Sequence, residues 1–378
     1  MVMAVHFVGD APARTLAQRA LVQTASYGGL GVDLFFVLSG FLITGLLLEA
    51  KGEPHYFRNF YARRTLRIFP LYYFVLGVLF LLLPRLVTLS PLLEVARSHQ
   101  GWLWTYTSNF YIAATSSWYS LTYVSHFWSL AIEEHFYLLW PLVVFTFRRA
   151  VLERICVAVL VGGLALRIGL ALAGVSELSI SVLTPCRIDT LCVGGVLALL
   201  VRREGGAEWA VGRSGRAAVG LGAAIVLLSA FCATARWGLP VLHQIRNSLY
   251  GLFFGALTLL SLKTPANLLA RAFQGPLLRF FGKYSYGLYV YHGILTWVLL
   301  EMGADTHLDV LLGNHALAIT ARAVIGVGLS LAVAVLSYQL LEKRFLALKR
   351  YFEGRGAAAP TTSAAAPLAL SPSRAPPP

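Results

Sequence analysis

The sequence predicts an all-α, polytopic integral membrane helical bundle of about ten transmembrane helices with the first one truncated, and three observations predict it. Hydrophobic residues fill 57% of the 378 positions and charged residues only 13%, about half the share that keeps a soluble domain dispersed. Apolar runs of spanning length recur along the whole chain. The basic residues between those runs fall in alternate loops.

A helix of about 20 residues crosses roughly 30 Å of hydrocarbon. Runs of that kind lie near 29–48, 68–87, 127–147, 155–174, 188–201, 217–234, 246–262, 284–303 and 316–341. The run at 188–201 is the shortest. Residues 1–8, MVMAVHFV, read as the end of one more span, because apolar sequence reaches Met1. A net charge of +14 invites a nucleic-acid reading, and the placement of the charge removes it. Of the 31 lysines and arginines, 22 lie at 51–67, 148–154, 202–216 and 263–283 and beyond the last span. These are alternate loops, expected on the cytoplasmic side by the positive-inside rule. The expected partner is therefore a lipid bilayer and not a nucleic acid, with the C-terminus cytoplasmic.

The same sidedness puts both ends of 85–126 outside. Its aromatic stretch Gly101–Ile112 (GWLWTYTSNFYI) is too short and too polar to span, and reads as an interfacial or re-entrant piece. Two segments follow: a membrane domain over 1–350, and a cytoplasmic tail over 351–378 whose Ala/Pro/Ser composition predicts disorder. Cys156, Cys186, Cys192 and Cys232 have no metal or redox spacing and are expected as free thiols. No metal and no bound cofactor are expected.

Ionisable groups inside spans are costly and are functional candidates by default. Asp33 lies one turn below the outer end of its span, and His126, Ser129, Glu133, Tyr137 and Trp140 follow one face of the 127–147 helix. Glu134 lies about 100° round from Glu133. Arg187 and Asp189 sit at the outer end of the short span, and His6 at the outer end of the partial first one. Together they suggest one buried polar site in the outer half of the bilayer. The structural alternative is a set of ion pairs, such as Arg187 with Glu133, or Asp189 satisfied by a helix end. On the opposite side Arg63, Arg64 and Arg67 stand at the mouth of the 68–87 helix, where they could clamp a phosphate or simply face anionic lipid. His292, after KYSYGLYVY, lies near mid-membrane.

The strings YGGLGVDLFFVLSGFLITGLL (27–47), FYARRTLRIFPLYY (60–73), SHFWSLAIEEHFYLLWPLV (125–143), RIDTLCVGGVLA (187–198), FFGKYSYGLYVYHGIL (280–295) and SYQLLEKRF (337–345) resemble, in order, the membrane acyltransferase 3 family. The resemblance covers about residues 5 to 350. It implies a ten-helix enzyme of the bacterial inner membrane with acyl-coenzyme A as co-substrate. The implied acceptor is a carbohydrate or glycolipid hydroxyl of an envelope polysaccharide, lipid-linked glycan or glycoside, and the acyl group is often acetyl. The family's first-helix histidine matches His6, its paired arginines match Arg64 and Arg67, and its glutamate segment matches Trp128–Glu134. The family usually has an arginine eleven residues before that histidine. Here the position falls before Met1, so the first helix is expected to extend upstream of the sequence as given.

The expected mechanism places the donor's phosphates on Arg63, Arg64 and Arg67. His6 then acts as general base on the acceptor hydroxyl, with Glu133 or Glu134 orienting it or strengthening it as a base. Asp33, His126, Arg187, Asp189 and His292 bind the acceptor or hold the site. Direct transfer and an acyl-enzyme both stay open, with Ser39 and the cysteines as the nucleophile types nearby. A membrane transporter or flippase for a lipid-linked glycan is the alternative.

Overall fold

The computed structural model describes residues 1–9, 15–234, 239–262, 271–273 and 275–352, and no strand occurs among them. The predicted tail from residue 353 onward lies outside them, as do Lys263, Arg355 and Arg374 of the basic loops. The chain enters as a helical turn, Val2–Ala4, that passes into a π-helical turn at Val5–Gly9. The longer helices are α1 (Leu16–Ser26), α2 (Gly31–Ala50), α3 (Tyr56–Gly77), α4 (Trp128–Thr146), α5 (Arg149–Leu172), α6 (Thr184–Val201), α7 (Gly206–Thr234), α8 (Leu239–Ser261), α9 (Pro276–Glu301) and α10 (His315–Ser337). Polar caps start several of them. Thr15 and Gln18 close a reciprocal capping box on α1, and the Asn314 side chain accepts the first amides of α10.

Among the described residues, six helical stretches are long and apolar enough to cross a membrane: Gln18–Ala50, Tyr56–Leu86, Arg149–Leu172, Thr184–Val201, Gly206–Thr234 and His315–Phe352. The expected count of about ten exceeds this for a chemical reason. Helices α4, α8 and α9 run for 19, 23 and 26 residues, but they carry Glu133, Glu134, Arg246 and Lys283, which lower their mean hydropathy. The N-terminal turn is far too short to cross alone.

The basic loops gather at one end. Lys51 donates to the carbonyls of Val144 and Phe147, each at 2.7 Å, and Arg149 donates to Arg202 O at 3.1 Å. Arg202 pairs with Glu49, and Arg203 meets Glu153 at 3.5 Å. At the other end the 101–126 segment forms short helices, Gly101–Trp104 and Ser108–Thr115, neither long enough to cross. Asn109 ties it to Val182 O at 3.1 Å, and Ser179 donates back to Ala113 O at 2.6 Å. The four cysteines are free, as expected.

Helices α2 and α6 pack backbone to backbone. A Cβ on Gly40 would stand 1.9 Å from Leu191 O, and one on Gly194 would stand 2.1 Å from Val37 O. Small residues permit such contact where lipid supplies no hydrophobic drive between helices. This contact sets Asp33, on α2, against Arg187, on α6.

Candidate functional site

Three imidazoles converge from distant parts of the chain. His6 lies on the Val5–Gly9 turn, His126 on a 3₁₀ turn (Ser125–Phe127) that leads into α4, and His292 in α9. Ring centroids are 4.7 Å apart for His6 and His292, 4.8 Å for His126 and His292, and 6.1 Å for His6 and His126. His126 and His292 are buried, and His6 is partly exposed. Gly293 makes room: a Cβ there would lie 2.3 Å from His126 Nδ1. His126 Nε2 lies 3.2 Å from Val290 O. Tyr289 completes the cluster, its hydroxyl donating to His126 O at 2.8 Å while meeting Ser129 Oγ.

A polar column descends α4 from that cluster. Ser129, Glu133, Tyr137 and Trp140 are all buried on the predicted face. Glu133 Oε1 accepts from Ser39 Oγ at 2.7 Å and from the Tyr137 hydroxyl, and Trp140 Nε1 donates to Thr44 Oγ1 at 2.8 Å. The Arg64 guanidinium lies over the rings of Tyr137 and Phe60, at 5.4 and 5.8 Å, an arrangement that favours a cation. Arg64 and Arg67 both act electrostatically on Glu133. Glu134 faces another way, within electrostatic reach of Tyr72, Tyr73, Tyr106 and Tyr286, with Oε1 buried and unbonded. His6 thus meets two imidazole rings, while Glu133 accepts from two hydroxyl groups.

The remaining ionisable candidates form two buried pairs. Arg187 binds Asp33 at 2.7 Å and lies over Phe36 and Trp128 at 5.6 and 6.0 Å. Asp189 binds Arg167 at 2.6 Å, and Arg167 also donates to Cys186 O at 2.5 Å and Ser248 Oγ at 2.6 Å. Neither pair is the one named from the sequence. Arg167 was not singled out there, although a lone arginine amid VLVGGLALRIGLAL is itself the signal. Arg322 is a second omission. It donates to Phe7 O at 3.0 Å and pairs with Asp305 at 2.6 Å, so it holds the turn that carries His6.

At the basic end a cavity of about 440 Å³ opens between α2, α3 and the 3₁₀ turn Leu348–Phe352. Its polar lining is Glu49, Glu53, Asn59, Arg63, Arg64 and Lys349. The volume falls in the range of ligand pockets, about 300–1,000 Å³. Arg67 is not part of this lining, although its charge also acts on Glu342 and on Lys349, which is. Among the described residues no cluster of potential metal ligands occurs.

This chain is similar to the peptidoglycan O-acetyltransferase OatA of Listeria monocytogenes, 28% identical over 362 residues that make up 87% of this chain and 53% of that protein. It is also similar to a Staphylococcus aureus (strain COL) protein named "Putative O-acetyltransferase SACOL0978", 26% identical over 356 residues, 85% of this chain and 53% of that one. The chain thus spans about half the length of these curated relatives. No solved structure matches. The acyltransferase domain model matches residues 1–339, and the chain belongs to the acyltransferase domain family.

Proposed function

We propose that the chain is an integral-membrane O-acyltransferase that moves an acyl group, acetyl in the first instance, from acyl-coenzyme A to a sugar hydroxyl of an envelope polysaccharide, lipid-linked glycan or glycoside. The observation that carries the reading is the buried polar column running from the arginine-lined cavity to the three histidines. It suits a phosphorylated donor at one end and a hydroxyl acceptor at the other. The long helices α4, α8 and α9 are read as further crossings that line this interior, bringing the bundle to about ten with the N-terminal turn. The basic end is read as cytoplasmic and the membrane as the bacterial inner membrane.

In this mechanism Arg63 and Arg64 hold donor phosphates while the thioester reaches along the column. An alcohol is a weak nucleophile at neutral pH, so a base must take its proton as the carbonyl is attacked. His6, the accessible imidazole, takes that part. Glu133, held by Ser39 and Tyr137, keeps the Arg64 end of the column charge-balanced.

The experiment supplies radiolabelled acetyl-coenzyme A to membranes of cells expressing the full chain and measures alkali-labile label on glycan. Donor-dependent ester is the expected product, and a transporter would give none. His6→Ala is expected to lower the rate by about 10²–10⁴-fold; a fully active variant would dismiss His6 as the base. Arg64→Ala is expected to raise KM for acetyl-coenzyme A about tenfold, a loss of ~1.4 kcal/mol, with a smaller rise for Arg67→Ala because Arg67 does not line the cavity. An unchanged KM in Arg64→Ala would remove the donor site from this cavity.

A further inference from the structure

The part expected of the glutamates, support of His6 in acid–base chemistry, can also be asked of His292, whose ring stands against it. Three facts about His292 bear on it. Its Nδ1 lies 2.7 Å from Tyr289 O and 3.2 Å from Leu288 O. Carbonyl oxygens only accept, so Nδ1 must carry the ring proton and Nε2 is left with its lone pair. That Nε2 is buried and has no hydrogen-bond partner among the described residues, an arrangement that a purely structural polar group avoids. The ring stands edge-to-face against His6 at 4.7 Å and is itself fully buried, so an acceptor molecule meets His6 first.

His126 does not fit the same role. Its Nε2 is the nitrogen turned to a carbonyl, that of Val290, and its Nδ1 is packed against Gly293. Its ring centroid is also the farther one from His6, at 6.1 Å. His126 braces His292, and His292 is the ring with a lone pair to offer.

We propose that His292 is the positioning and proton-relay residue of the reaction, its Nε2 receiving the proton that His6 gives up as His6 deprotonates the acceptor hydroxyl. The proposal rests on the acyl-transfer reading and deepens it. The balance is closed. The acceptor O–H bond breaks and its proton goes to one nitrogen of His6, while the other nitrogen's proton goes to His292 Nε2. The acceptor oxygen forms the ester bond to the acyl carbon, the C–S bond breaks, and the coenzyme A thiolate leaves. The proton returns by the same rings to the sulfur, giving ester and free thiol. In the transient state both nitrogens of His292 are protonated, with Nδ1–H held by two carbonyl oxygens. The two carbonyls orient His292 as a buried carboxylate orients a catalytic histidine elsewhere, without supplying its charge.

The test uses the full chain in membranes, with acetyl-coenzyme A as donor and thiol release as the readout. His292→Gln keeps an acceptor oxygen near the Nε2 position that cannot hold a proton. His292→Asn keeps the donor near Nδ1 and loses the rest. Both are expected to lower kcat about 10²-fold or more with KM for acetyl-coenzyme A nearly unchanged, and to change the shape of the pH–rate profile. The relay is overturned if either variant keeps kcat within about threefold of the unaltered chain. It is also overturned if the rate falls with the pH profile intact, or if neither variant can be extracted as intact protein, since the ring would then serve packing alone. His6→Ala is run in parallel. An inactive His6→Ala beside an active His292→Gln sinks only the relay, whereas no donor-dependent product from the unaltered chain sinks acyl transfer itself.

Discussion

Replacing Arg167 with methionine is expected to destabilise the protein by about 3–5 kcal/mol, the cost of removing one member of a buried ion pair. Methionine keeps much of the stem and deletes the charge. Asp189, whose side chain is only 4% exposed, is then left as a carboxylate with no counter-ion in a region from which lipid and protein have excluded water. Its remaining bonds, from the Thr190 amide at 2.8 Å and the Thr190 hydroxyl at 3.4 Å, do not neutralise it. Two further acceptors, Cys186 O and Ser248 Oγ, lose their donor at the same time. The double variant Arg167→Met/Asp189→Asn is expected to recover about half of the loss, because it removes the stranded charge but not the stranded acceptors. The measurement is thermal unfolding of detergent-extracted protein. A double variant no more stable than the single one would show that the charge on Asp189 is not the source of the penalty, and that the hydrogen bonds to Cys186 and Ser248 carry it instead.

How much of this could be read from the sequence depended on whether a property belongs to one helix or to two. The positions of α2 to α10 were legible because a chain in lipid must bond its own backbone, and helices do so over apolar runs. The buried face of α4 was legible too, since Ser129, Glu133, Tyr137 and Trp140 recur at helical spacing. Which residue pairs with which was not legible. Arg187 meets Asp33, 154 residues away, because α2 and α6 interlock at Gly40 and Gly194, and that register is a property of two surfaces together. His6 faces His292 for a similar reason: the Val5–Gly9 turn is anchored by Arg322 from α10, a contact spanning 315 residues. Composition marks only six crossings among the described residues, because the helices richest in site residues are also less apolar. Arg167 is a different case, being visible in the sequence as a lone charge in an apolar run.

Gly194→Leu is expected to have the widest effect of any single exchange, because it acts on the register that builds the site. The new Cβ alone would stand 2.1 Å from Val37 O and 2.5 Å from Phe41 N. Both are backbone atoms, so no side-chain rotation relieves the contact and α2 and α6 must move apart. Overpacking of this kind costs about 1–3 kcal/mol, occasionally more. The functional loss should exceed that figure. Helix α2 carries Asp33 and Ser39, whose partners Arg187 and Glu133 stand on α6 and α4 at 2.7 Å in both cases. A displacement of 1 Å far from the reacting atoms can lower a rate about 10²-fold, so acyl transfer is expected to fall by at least that factor in protein that still extracts intact. Gly212→Leu is the control. It lies in α7, where a Cβ would meet nothing within 4 Å, and it should leave both stability and rate unchanged. Equal activity in the two variants would mean that the α2–α6 contact does not set the geometry of the site. Selective loss in Gly194→Leu, with acetyl-coenzyme A binding retained, would tie the buried polar residues of α2 and α6 to the reaction through the packing of two glycine-bearing helices.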